Sequence, residues 1–111
     1  MSDGDLSVIC GPENADVLWD EDMLCDVAEL FKIFADSTRI KILYALFGAE
    51  LSVTEISEKV EMNQSAVSHQ LRVLKQSHLI KVRRDGKNMI YSLADGHVRT
   101  ILTMGMEHIA E

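Results

Sequence analysis

The sequence predicts a mainly α domain of the α+β class that closes on a two-stranded hairpin, and two neighbouring stretches carry the prediction. From Asn63 to Ser77 the apolar residues Val67, Leu71 and Leu74 recur at helical spacing, while Ser65, Ser68, His69 and Arg72 share the opposite stripe. Directly after it, Ile80 to Arg84, the turn residues Asp85, Gly86, Lys87 and Asn88, and then Met89 to Leu93 form a hairpin signature with an Asp-Gly turn. A helix with one packing face followed by a basic hairpin is the order of a winged helix-turn-helix. The outward stripe carries small hydroxyls, an imidazole and a guanidinium, groups suited to phosphates and base edges rather than to a plain solvent face.

The remaining elements follow in order. Residues 1–20 hold Gly, Pro, Asp and Asn without a sustained period and are expected to form a flexible acidic tail, leaving 21–111 as the folded domain. From about Asp20, acidic residues at a helix start suit the macrodipole, and Leu24, Val27, Phe31 and Phe34 make an apolar seam. A second helix is expected from Asp36, Ser37 and Thr38, with Ile40, Leu43, Tyr44 and Phe47 inward and a stop at Gly48. Ser52 to Glu55 is a capping-box pattern that opens a third, short helix with Ile56 and Val60. Residues Glu61 to Gln64 then make the turn before the readout helix. A last helix runs from about His97, with Val98, Ile101, Leu102, Gly105 and Ile109 as its buried stripe.

At 111 residues the chain is one small domain, which buries proportionally little surface, so a homodimer sharing a core is expected. No apolar run approaches the ~20 residues of a membrane span, and the acidic start is unlike a signal peptide, which points to the cytoplasm. Cys10 and Cys25 make neither a disulfide framework in a reducing compartment nor a paired-cysteine zinc motif. The net charge of −7 is unevenly spread. Residues 1–30 carry nine acidic residues and no Lys or Arg, so the remainder carries +2. Between Gln64 and Ala94, Arg72, Lys75, Lys81, Arg83, Arg84 and Lys87 face Asp85 alone, a local +5. The basic patch therefore coincides with the readout helix and hairpin, as a nucleic-acid footprint requires.

The runs Ile33 to Leu43, Gln64 to Leu74 and Gly86 to Asp95 resemble the ArsR/SmtB family of metal-responsive winged-helix repressors, over roughly Cys25 to Glu111. The resemblance implies a homodimer, joined through the first and last helices, that binds double-stranded operator DNA and releases it when metal arrives. It places DNA contacts at Gln64, Ser65, Ser68 and His69, with Arg84 and Lys87 of the wing near phosphates; Arg72 joins them from the stripe itself. Family members that sense lead, cadmium or arsenic carry cysteines on the third helix. Ser52 and Thr54 stand at those positions here, and a hydroxyl is a poor substitute for a soft thiolate.

Asp95, His97, His108 and Glu111 match, residue by residue, the ligand pattern of the family's zinc sensors. His97, Ile101, Met104, His108 and Glu111 step by three or four, so the donors share one helical stripe. Eleven residues of helix separate the histidines by about 16 Å, too far for one ion with bonds of ~2 Å. Two antiparallel copies can unite them, because His97 with His108 and Asp95 with Glu111 are both centred near residues 102 to 103. Gly105, close to that axis, allows close approach, and two symmetric sites per dimer follow. Two imidazoles and two carboxylates favour Zn(II), with Co(II) as a second candidate, whereas nickel usually takes a higher coordination number. His78 corresponds in the family to a residue whose backbone accepts the outer N–H of the ligand at His108, an orienting bond that could carry occupancy to the DNA face.

No nucleophile elbow, phosphate loop or paired-histidine protease motif is present, and four protein ligands leave no open metal position, so an enzyme is not expected. Two other readings compete: a winged-helix repressor switched by oxidation of Cys10 and Cys25, and a metal-binding dimeric interaction module without DNA binding.

Overall fold

Five local capping interactions set where the helices begin. In a computed structural model, which describes residues 20–111, Asp20 accepts from the Met23 amide to open α1 (Glu21–Phe34), and Asp36 accepts from the Arg39 amide to open α2 (Ser37–Ala45). Ser52 and Glu55 form a reciprocal capping box at α3 (Val53–Val60). Asn63 caps α4 (Gln64–Gln76), and Asp95 caps α5 (Gly96–Ala110). Each cap satisfies amides that the first helical turn leaves without an internal partner.

The sheet is antiparallel, in the order β1-β3-β2, with β1 (Leu51–Ser52), β2 (Ile80–Asp85) and β3 (Asn88–Leu93). The wing is the β2–β3 hairpin, paired from Ile80 with Leu93 out to Asp85 with Asn88. Gly86 has φ +65 and Lys87 is not among the residues of positive φ, the pattern of a turn with its positive φ at the first central position. The wing is two-stranded, as the sequence predicts, and its sheet gains a third, two-residue strand that the sequence did not announce, Leu51 and Ser52 against Tyr91 and Ile90. A pair of residues has no periodicity to read, so only the approach of β3 creates the strand.

The chain divides into two compact units, Met1–Ala35 and Asp36–Glu111. In the first, α1 contains no buried residue, and Val27 and Phe31 of its expected seam are exposed together with Met23. Cys25 is disulfide-bonded, where the sequence pointed to reduced thiols. Cys10 and the acidic tail lie outside the described residues.

In the second unit the core is built from Ile42, Leu43, Leu46, Ile56, Val67, Leu71 and Leu74, all at most 2% exposed, and it extends to Leu79, Ile80, Leu93, Val98 and Leu102. The inward face of α2 is thus Ile42, Leu43, Ala45 and the C-cap Leu46 rather than Ile40, Tyr44 and Phe47, which are half-buried. The helix also ends at Ala45, before Gly48. α3 and α4 end alike. Glu61 and His78 take left-handed φ of 58 and 61, and the next amides, of Met62 and Leu79, reach back to Ser57 and Leu74 at 3.0 Å. This 6→1 bond is the Schellman closure, with a charged residue and a histidine where glycine is usual.

Candidate nucleic-acid interface and metal-binding stripe

The candidate readout surface follows from the two faces of α4. Val67, Leu71 and Leu74 are buried and anchor one side. Ser65, Ser68, His69 and Arg72 are all exposed on the other, as their spacing predicts. Gln64 is also exposed, but its amide donates to the Thr54 hydroxyl at 3.2 Å, tying the start of α4 to α3. A second bond, from Arg39 Nε to Gln70 Oε1 at 2.9 Å, ties the middle of α4 to α2. Thr54, Arg39 and Gln70 carry no short-range signal of these contacts, because their partners are ten and more residues away.

Arg84 and Lys87 are exposed near the tip of the wing. Arg83 is engaged within the protein: its guanidinium meets Glu50 at 2.8 Å, holding the Glu50 carboxyl below its usual range and pushing the Arg83 guanidinium up. That pair braces the wing against the segment leading into β1. The imidazole of His78 is exposed just beyond α4, and among the described residues no hydrogen bond joins it to His108.

On α5 the four candidate ligands fall into two halves. Asp95 and His97 stand together, with His97 Nδ1 3.4 Å from Asp95 Oδ1. The same Oδ1 accepts from the amides of His97 and Val98, so the residue read from the sequence as a ligand is also the helix cap. The Val98 amide, helped by that of His97, holds the Asp95 carboxyl below its ordinary range. Asp95 thus offers an ionised carboxylate whose Oδ2 makes no hydrogen bond among the described residues. His108 and Glu111 are exposed at the opposite end of the helix. Among the described residues, no three metal-binding side chains converge within one chain. The donor set suits a borderline metal, but a single copy supplies only separated halves.

The apolar stripe of α5 is divided too. Val98 and Leu102 are buried, whereas Ile101, Met104, Met106 and Ile109 are exposed, Ile109 by 83%. Ile40 and Tyr44 of α2 with Gly105, Met106, Ile109 and Ala110 line an apolar groove of about 500 Å³. A Cβ placed on Gly105 would meet nothing within 4 Å. No helix among the described residues is long and apolar enough to cross a membrane.

Residues 36–82, which span α2 through the first three residues of β2, match the model of the family described as bacterial regulatory protein, arsR family. The chain is 40% identical over 90 residues to a transcriptional repressor SmtB homolog of Synechocystis sp., covering 81% of this chain and 68% of that protein. It is 39% identical to a cadmium resistance transcriptional regulatory protein CadC homolog of Staphylococcus aureus, covering 78% and 72%. In three dimensions it is similar to the homodimeric winged helix-turn-helix DNA-binding domain of Mb0332 from Mycobacterium bovis, with a TM-score of 0.78, 27% identity, and coverage of 89% and 90%. These relatives are transcriptional regulators, not enzymes.

Proposed function

Since this chain belongs to the arsR family of bacterial regulatory proteins, we propose that it is a cytoplasmic transcriptional repressor that binds operator DNA as a homodimer and is released by Zn(II), or by Co(II) in its place. The observation that carries the DNA half is the exposed stripe of Ser65, Ser68, His69 and Arg72 on a helix anchored by three buried residues, beside a wing that presents Arg84 and Lys87. Gln64 completes the DNA-facing set and also braces the helix. Helix α4 enters the major groove, and the wing lies along the phosphates.

The dimer is formed by the first and last helices. Supporting this are the exposed Val27 and Phe31 on α1, and on α5 the exposed Ile101, Met104 and Ile109 beside an open Gly105. An antiparallel pairing of two α5 helices brings Asp95 and His97 of one copy to His108 and Glu111 of the other, twice per dimer. A metal ion held there cross-links the two copies and favours one spacing of their α4 helices. The backbone of His78, at the end of α4, is the point through which that spacing reaches the DNA face. Ser52 and Thr54 on the α3 side supply no thiolate, which favours the α5 set over a cysteine site.

The deciding experiment mixes His97→Ala chains with His108→Ala chains. Neither homodimer has a whole site, but the heterodimer has one complete site and one lacking both histidines. One tight zinc per heterodimer is expected. A verified heterodimer that recovers no tight zinc refutes ligation across the interface.

The disulfide at Cys25 favours a second reading, a repressor switched by thiol oxidation. A protein with Cys10→Ser and Cys25→Ser separates the two. It keeps zinc-dependent release under the metal reading, and loses its response to mild peroxide under the redox reading.

A further inference from the structure

The apolar stripe of α4 fixes which face of the helix meets the core, but apolar contact is non-directional and leaves the finer rotation about the helix axis to directional bonds. What the outward stripe meets depends on that rotation, since neighbouring side chains on a helix differ by 100° in direction. The bond from Arg39 Nε to Gln70 Oε1 acts on this degree of freedom. Gln70 lies on the flank of α4, between the buried residues Val67, Leu71 and Leu74 and the exposed residues Ser65, Ser68 and His69. Both partners are half-buried, so water competes incompletely for the bond. Arg39 is itself held, because its amide donates at 3.0 Å to the Asp36 side chain that caps α2. Gln64 on Thr54 restrains the start of α4, and Gln70 on Arg39 restrains its middle.

We propose that Arg39 is a positioning residue for sequence readout: through Gln70 it sets the rotation of α4 and thereby which base edges Ser65, Ser68 and His69 meet. This rests on the DNA-binding reading above. The guanidinium suits the task because its Nε–H is a laterally directed donor on a rigid planar group, which a lysine ammonium does not reproduce. A positioning role differs in a measurable way from a phosphate contact. Lost positioning lowers discrimination between sequences and leaves the number of neutralised phosphates unchanged. A lost phosphate contact weakens all sequences alike and reduces the salt slope by about one.

The test uses the full-length protein, a duplex selected by the wild type from a random-sequence pool, and a scrambled duplex of equal length. Affinities for both are measured across a salt series for wild type, Arg39→Met, Arg39→Lys, Gln70→Leu and Gln70→Glu, with thermal melts and dimer mass as folding controls. The preference for the selected duplex should fall about fivefold in Arg39→Met, Arg39→Lys and Gln70→Leu, the scale of one net hydrogen bond. The salt slope on scrambled duplex should stay at the wild-type value in Gln70→Leu and Arg39→Met. Gln70→Glu keeps an acceptor oxygen and should keep the preference, even where its added charge weakens both duplexes together. If Arg39→Met fails to fold, Arg39→Lys and the two Gln70 variants carry the same contrast. Uniform weakening with a slope reduced by about one in Arg39→Met, with Arg39→Lys near wild type, would make Arg39 a phosphate contact and overturn the proposal. Unchanged preference in Gln70→Leu overturns it as well. A wild type unable to distinguish the two duplexes overturns the DNA-binding reading itself, which the variant comparisons do not.

Discussion

The hydroxyl of Tyr44 donates a 2.6 Å hydrogen bond to the main-chain carbonyl of Leu102, joining α2 to the middle of α5 close to where two α5 helices are proposed to cross. Tyr44→Phe removes the donor and little volume. It should lower the stability of the protein by about 0.5–1.5 kcal/mol, the usual net value of one such bond. Urea denaturation at fixed protein concentration measures this, and an unchanged midpoint would mean that the bond is not maintained in solution.

Buried and exposed apolar residues should separate into two phenotypes. Ile42→Ala empties a fully buried position and should cost about 2–5 kcal/mol. Ile109→Ser touches a residue that is 83% exposed and should change the stability of one chain by no more than about 0.5 kcal/mol. Its effect should show in sedimentation as a weaker dimer. A variant that remains fully dimeric at the lowest measurable concentration would remove the end of α5 from the interface.

The left-handed residues that close α3 and α4 carry a side chain where none is favoured. Glu61→Gly and His78→Gly should each raise stability by up to ~1 kcal/mol, because a Cβ is disfavoured at φ near +60. His78→Gly is also informative about function. If the backbone of His78, not its imidazole, links α4 to α5, this variant keeps zinc-dependent release of DNA.

The brace between Glu50 and Arg83 should be sensitive to acid and to salt. The Glu50 carboxyl is held below its ordinary value, mainly by hydrogen bonding to Arg83 and then by its charge. A depressed carboxylate contributes stability that is fully present above the unfolded-state pKa and is lost as pH falls through the lowered folded-state value. The stability difference between wild type and Glu50→Gln should therefore shrink as pH is taken from neutral into the acid range. High salt should shrink it at neutral pH, since the pair is exposed. A difference that is flat with pH would show that the pair does not persist.

Asp95 caps α5 and is proposed as a zinc ligand, and substitution can separate the two. Asp95→Asn keeps an acceptor oxygen for the amides of His97 and Val98, so α5 should remain capped while zinc affinity falls with the lost negative charge. Asp95→Ala should lose both the cap and the zinc affinity. Thermal melts without metal and zinc titrations report the two roles independently. An Asp95→Asn protein with wild-type zinc affinity would take this carboxylate out of the ligand set.

DNA contacts should divide by chemistry. Ser68→Ala with His69→Ala should lower sequence preference, whereas Arg84→Ala and Lys87→Ala should weaken selected and random duplexes alike and flatten the salt dependence. Equal loss of preference in all four would contradict the separation between readout helix and wing.

What the sequence determined on its own was whatever depends on near neighbours along the chain. The cap at Asp36, the Ser52–Glu55 box, the alternation of Val67, Leu71 and Leu74 with Ser65, Ser68 and His69, and the Asp85-Gly86 turn all join residues within a turn or two of helix, or across a two-residue loop. Short loops cost little entropy to close, so such contacts form wherever the residues permit them. The tertiary structure decided the rest. Ile42 is buried and Ile40 only half-buried because α3 and α4 pack on one side of α2, a choice its own spacing leaves open. Leu51 and Ser52 become a strand only because β3 arrives beside them, and Asp95, read as a ligand, proves to be a cap as well. Arg39 on Gln70 and Tyr44 on Leu102 likewise join segments far apart in the chain. Their directional bonds are specified by where packed helices place two backbones, and no local pattern of residues encodes that distance.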